Sequence, residues 1–189
     1  MAKVKGSVFI EWAKGVRGDK SGACDKYLTD EDRKIISAPI LVSSWYPFET
    51  FRRCINAVCE VFAKGNTEII RGWSRKYAEN TYKDIYKNLF SGKTDPISAM
   101  KSRQMMFKTL YDSVRMDFKE ISESEYIVTF RGVEPDFKLY FLTVVWIMER
   151  SLELSGAKGL KSEFIDKSWN GASQTRVKFS WDRWDRAAA

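Results

Sequence analysis

A chain of 189 residues, 44% hydrophobic and 14% aromatic, can bury a proper core and is too apolar to be disordered. Its net charge of +7 invites a nucleic-acid reading, but acids are interspersed, as in Asp30-Glu31-Asp32 and from Glu120 to Glu125. No zinc-finger, RNP or basic-zipper pattern accompanies the charge, so a mixed-charge surface is the better reading and nucleic-acid binding ranks third among the functions considered.

The N-terminal run Met-Ala-Lys-Val-Lys-Gly-Ser-Val-Phe-Ile meets Glu11 and Lys14 at once, which denies a signal peptide its apolar segment and predicts a cytoplasmic protein. After a short extended piece from Val4, Val8, Phe9, Trp12 and Val16 predict a helix ending near Gly18. Thr29-Asp30-Glu31-Asp32 is an N-cap signal for a brief helix through Ile36, stopped by Pro39. Pro47, following Ser43-Ser44-Trp45-Tyr46, is placed at the first position of an amphipathic helix. Its inner face is Phe48, Phe51, Ile55, Val58, Cys59 and Phe62, and Gly65 closes it.

The next helix is predicted from Asn66 or Thr67 to Phe90, with Ile70, Trp73, Tyr77, Thr81 and Ile85 on one stripe and Tyr82, Tyr86 and Phe90 on another; Gly92 ends it. Thr94-Asp95-Pro96 starts a further helix carrying Ile97, Met100, Phe107, Leu110, Tyr111 and Val114. The period then changes to two. Met116 to Phe118, a polar turn at Ser122 to Glu125, and alternating Tyr126, Val128 and Phe130 predict a hairpin.

From Asp136 to Gly156 the spacing of Phe137, Tyr140, Phe141, Val144, Val145, Met148 and Leu152 predicts a central buried helix, with Leu142, Trp146 and Ile147 on its other side. Its charge-free run, Leu139 to Met148, is far short of the ~20 residues that span a bilayer. Leu160, Ser162 and Phe164 begin a third strand, Asn170-Gly171 marks a turn, and Thr175, Val177, Phe179 and Trp181 alternate in a last strand with a basic outer face. The predicted fold is α+β: a helical N-terminal half packed on a four-stranded antiparallel sheet of ββαββ order in the C-terminal half. One domain over residues 1–183 and a frayed tail over 184–189 are expected.

Four segments carry a resemblance: Val4-Lys5-Gly6-Ser7-Val8, Ser44-Trp45-Tyr46-Pro47-Phe48, Leu110-Tyr111-Asp112-Ser113, and Trp146 to Gly156 with Glu149-Arg150-Ser151-Leu152-Glu153-Leu154-Ser155-Gly156. Together they resemble an uncharacterised domain family first catalogued as restricted to Myxococcales, over nearly the whole chain. That family is similar to a wider group including the vinyl-reductase-type ligand-binding domain, the haem nitric-oxide-binding domain and subunits of the vesicle-tethering complex. The resemblance implies a sensor or adaptor that holds a small molecule, haem or acyl chain in an apolar cavity, or pairs with other subunits through its helices. Two departures stand out. Where vinyl-reductase-type relatives place cysteines this chain has Trp169, Thr175 and Arg176, and it has no histidine.

Lack of histidine excludes Ser-His-Asp and Cys-His nucleophile activation, histidine metal sites and the usual proton shuttle near neutral pH. The three cysteines form no disulfide framework. Cys54 and Cys59, five residues apart, project about 140° apart on a helix and cannot chelate one ion, so they read as small core residues. Cys24 is a candidate reactive thiol only through Lys20 or Lys26. Neither a cofactor nor a metal is expected.

Glu149 and Glu153 share a helical face beside Arg150 and read as a solvated edge or an ion-paired last turn before they read as a catalytic pair. Arg71 and Arg75, also four apart, are anion-binding candidates. Trp45, Tyr46, Phe48, Phe51, Trp73, Tyr140 and Trp146 are candidates for a ligand pocket or a protein interface, with a filled core as the alternative. The leading expectation is a non-enzymatic cytoplasmic sensor or adaptor, homodimeric through its helices, that binds a small apolar ligand or a partner protein. An enzyme using carboxylates or an unidentified cofactor is second.

Overall fold

The computed structural model describes residues 2–81, 96–132 and 137–185. They fall into two compact units, Met1–Ile70 with Thr109–Ser113, and Arg71–Lys108 with Val114–Ala189.

The first unit opens with β1 (Lys3–Lys5) and α1 (Gly6–Arg17), followed by α2 (Asp30–Ser37), β2 (Trp45–Pro47) and α3 (Phe48–Ala63). β1 pairs antiparallel with β2, Lys3 opposite Pro47 and Lys5 opposite Trp45. Thr29 caps α2 as predicted, in a reciprocal capping box with Asp32. Pro47 is the residue before α3 and the end of a strand, a correction to the predicted first helical position. The amide after it, on Phe48, donates to the Ala2 carbonyl and so extends the β1–β2 pairing at the point where proline has no N–H of its own.

α1 crosses α3 closely because Gly15 carries no side chain: a Cβ there would lie 2.9 Å from a Val58 methyl. Phe9, Phe48, Phe51, Cys54, Ile55 and Cys59 are buried in this unit. Phe62 is a second correction. It is 45% exposed, and Ala63 takes the buried position instead. The helix terminates immediately beyond, with Lys64 and Gly65 both in the left-handed region.

The second unit holds a four-stranded antiparallel sheet and most of the remaining helices. α4 (Thr67–Thr81) and α5 (Pro96–Leu110) precede β3 (Arg115–Ser122) and β4 (Glu125–Arg131). After α6 (Lys138–Leu154) come β5 (Ala157–Lys158), β6 (Lys161–Asp166), β7 (Thr175–Ser180) and β8 (Arg183–Trp184). The sheet order is β3-β4-β7-β6, so the last strand of each half is central, and the ββαββ prediction holds. Tyr126, Val128 and Phe130 on β4 and Thr175, Val177 and Phe179 on β7 are buried, in the predicted alternation.

Outer-face residues pair across the sheet: Arg176 with Asp166, Lys178 with Glu163, and Arg131 with Asp117. Acids on β6 thereby pair with the basic outer face predicted for β7. β8 replaces the start of the predicted frayed tail, pairing with β5 at Ala157 and Trp184.

α6 buries Tyr140, Phe141, Val145, Met148 and Leu152 as expected, and also Thr143, Glu149 and Ser151. Phe141 packs tilted against Phe130 at 5.5 Å and against Trp169 at 5.7 Å between ring centres. α4 differs from prediction. Its buried stripe is Ile70, Ser74 and Ala78, while Ile69, Trp73 and Tyr77 face outward on the adjoining side. The predicted roles of Tyr82, Ile85, Tyr86, Phe90, Gly92, Thr94 and Asp95, and the helix start at Asp136, lie outside the described residues.

Candidate functional site

Two clusters hold the chemistry. In the first unit, Phe9, Tyr46, Phe48, Phe51 and Tyr111 form a ring cluster, with centres 5.3 Å apart for Phe9–Tyr46, 5.4 Å for Phe48–Phe51 and 6.0 Å for Phe48–Tyr111. β2 and the first turn of α3 deliver Tyr46, Phe48 and Phe51; α1 delivers Phe9. Phe48 and Phe51 are buried, Tyr46 is half-buried, and the Tyr46 hydroxyl accepts from the Leu41 amide at 2.8 Å. Trp45 points the other way, as its neighbour in a strand must. It is 40% exposed, with the Lys5 amine 4.2 Å above its ring centre. The sequence candidates Trp45, Tyr46, Phe48 and Phe51 thus divide between an outer face and an apolar interior.

The second cluster joins α4 to α6 inside the second unit. Arg75 grips Glu153 with both terminal nitrogens, at 3.1 and 2.7 Å. Arg150 donates to Glu153 at 2.9 Å and to Glu79 at 2.9 Å. Arg71 donates to Glu149 at 3.2 Å, and the Ser162 hydroxyl donates to the other Glu149 oxygen at 2.5 Å. Arg75, Glu153, Arg150 and Glu79 alternate in one chain of contacts, and Arg71 with Glu149 forms a separate pair. The anion that Arg71 and Arg75 were predicted to bind is supplied by the protein's own carboxylates.

Glu149 is only 8% exposed, so its pairing offsets a real desolvation cost. Burial pushes the Glu153 carboxyl up, but hydrogen bonds from Arg75 and Arg150 outweigh burial and hold it below the usual carboxylate range. General acid–base catalysis needs a group poised near the working pH, and this pairing moves Glu153 away from it.

Trp73 is 38% exposed on α4, Trp146 is half-buried on α6, and Tyr140 is buried against Phe137 and Phe141. Cys24, Cys54 and Cys59 are all free and buried. Burial pushes the Cys24 and Cys59 thiols up to about 12, with Asp19 adding to the shift at Cys24, and pushes Cys54 higher still. They are neutral thiols and not nucleophiles at neutral pH. Among the described residues, no group of three or more acidic or cysteine side chains is placed to hold a metal ion. No described helix is long and apolar enough to cross a membrane.

Sequence reasoning missed Ser162 as a partner of Glu149 and Glu79 as a partner of Arg150, because both contacts join distant parts of the chain. It also missed the exposed pair Leu41 and Val42 beside Trp45. The available signal was the uncharged stretch from Ala38 to Phe48.

No protein-family model matches the sequence, and no curated protein does. Solved structures do match in fold. A Cs H-NOX mutant carrying an unnatural amino acid is similar at 16% identity and a TM-score of 0.63, over 95% of this chain and 97% of that one. A mutant H-NOX of T. tengcongensis matches at 19% identity and 0.60, over 95% and 98%. An oxygen-binding H-NOX domain related to soluble guanylate cyclases matches at 17% identity and 0.61, over 95% and 96%. The chain therefore has the H-NOX fold along almost its full length.

Proposed function

We propose that this chain is a non-enzymatic sensor or adaptor domain on the H-NOX fold, binding a small apolar ligand or a partner protein without histidine-ligated haem. The observation that carries the reading is a likeness spanning 95% of the chain to a protein described as an oxygen-binding domain, in a sequence that has no histidine. Haem iron is held axially by histidine, cysteine thiolate, methionine or tyrosine. Histidine is missing here, and the three buried cysteines are held as neutral thiols, so neither a histidine nor a thiolate linkage fits these residues.

What supports an apolar ligand is the interior. The buried rings about Phe48 and Phe51, with Tyr46 and Tyr111 alongside, are side chains of the kind that wall a small-molecule pocket with few polar anchors. The ion-paired state of Glu149 and Glu153 weighs against the carboxylate-enzyme alternative. Membership of the Myxococcales-restricted family, cytoplasmic residence, one domain over residues 1–183 and a homodimer belong to the same proposal.

Native mass spectrometry of the purified full chain beside its denatured mass tests it. The expected result is extra mass in the native state from a small organic ligand or a second protein chain, lost on denaturation. A native mass equal to that of one bare chain, unchanged after incubation with candidate fatty acids and cell extract, contradicts the reading.

A further inference from the structure

The loop between α2 and β2 presents apolar side chains from a backbone that cannot easily withdraw them. Leu41 and Val42 are each 60% exposed and Trp45 is 40% exposed. Beneath them, the carbonyls of Val42 and Ser44 accept from the Ser7 and Gly6 amides at 3.0 and 2.9 Å, satisfying two of the otherwise orphaned donors at the start of α1. The Leu41 amide donates to the Tyr46 hydroxyl, and the Lys5 amine donates to the Ser43 carbonyl at 2.7 Å. Gly6 is required for this approach, since a Cβ there would lie 2.0 Å from the Leu41 carbonyl oxygen. An exposed apolar tip held this firmly is preorganised for contact.

The surrounding charge selects the partner. Ala38 to Phe48 contains no charged residue, and the first acid of the chain is Glu11. Val4 is buried, so β1 turns Lys3 and Lys5 to the opposite face, where the strand register sets them against Pro47 and Trp45. Asp112 is the acid beside this strand, hydrogen-bonded to the Lys3 amide at 2.6 Å. Two adjacent aliphatic residues on the loop, the following tryptophan of β2 and the two lysines of β1 make the pattern of an interfacial anchor, in which rings and aliphatics enter the acyl boundary and lysines meet anionic headgroups. A second copy of the chain seated on the same patch would set Lys3 and Lys5 against their own images.

We propose that Leu41, Val42 and Trp45, with Lys3 and Lys5, dock the chain reversibly on an anionic lipid bilayer surface. This surface is independent of the ligand reading, and either can fail without the other.

Cosedimentation of the full chain with vesicles of phosphatidylcholine alone, and of phosphatidylcholine with phosphatidylserine in a two-to-one ratio, tests the proposal. Binding is expected only to the mixed vesicles, weakening as salt rises. The double variant Leu41→Ser, Val42→Ser keeps every charge and should lose at least about tenfold in partitioning, because aliphatic burial drives insertion. Lys3→Gln and Lys5→Gln should each cost about fivefold, the equivalent of roughly 1 kcal/mol per lysine near such a surface. Circular dichroism checks that the variants fold; if the serine variant is unfolded, Leu41→Asn alone replaces it. Equal binding to both vesicle types, no binding to the mixed vesicles, or full binding by a folded Leu41 and Val42 variant overturns the proposal. So does a dimer that the same variant abolishes in the absence of vesicle binding, which would assign the patch to a second copy.

Discussion

Asp32 is fully buried, and three neighbours hold it charged. Arg53 donates through Nε and Nη2 at 2.5 and 2.9 Å, the Thr29 amide at 2.8 Å, and Thr50 adds its hydroxyl. Burial alone would push this carboxyl up; the donors outweigh it, so its folded value lies below the unfolded one of about 3.9. A depressed folded pKa means that the contribution is fully present above the unfolded value and fades as pH falls below it. Asp32→Ala should therefore cost about 3 kcal/mol at pH 7, the lower end for breaking a buried pair because Arg53 keeps some exposure. Urea denaturation of both proteins at neutral pH and near pH 3 checks this: the gap between them should narrow in acid, and a constant gap contradicts the assignment. The cap half of this arrangement was legible in the sequence, since Thr29 and Asp32 are three apart. The Arg53 half was not, because a partner 21 residues away leaves no local pattern.

Among the elements, those with several repeats of their period were legible. β4 and β7 each show three buried positions in strict alternation, and α6 shows five buried apolar residues at helical spacing. β1, β2, β5 and β8 are two or three residues long, too short to display a period, and they exist through pairing with distant segments. α4 misled in a different way. Its small residues Ser74 and Ala78 have the same spacing as the bulky Trp73 and Tyr77, and burying small residues lets a helix sit closer to its support. This inversion makes a prediction by substitution: Ala78→Leu should overpack a buried site and cost roughly 1–3 kcal/mol. Trp73→Ser should stay within roughly 1 kcal/mol of the parent, since a partly exposed side chain makes fewer buried contacts. Thermal denaturation compares the two, and the reverse ranking would put the aromatic stripe inward.

At the scale of the molecule, the sequence revealed the fold class and what the chain lacks, while the arrangement of charge required the structure. Glu149, Glu153, Arg71 and Arg75 were each conspicuous in the sequence, but their meeting depends on α4 lying against α6, and that converts two apparent sites into internal ion pairs, Arg71 with Glu149 and Arg75 with Glu153. The H-NOX fold then meets a sequence that has no histidine and whose three cysteines are buried neutral thiols. A fold is a scaffold on which different sites can be built, so the fold alone does not bring haem with it. The account rests most directly on that separation. Adding haemin to the purified chain in equimolar amount, desalting it and recording the visible spectrum tests it: the account predicts that the protein emerges without a stoichiometric Soret band, and a retained one-to-one Soret absorbance would contradict it.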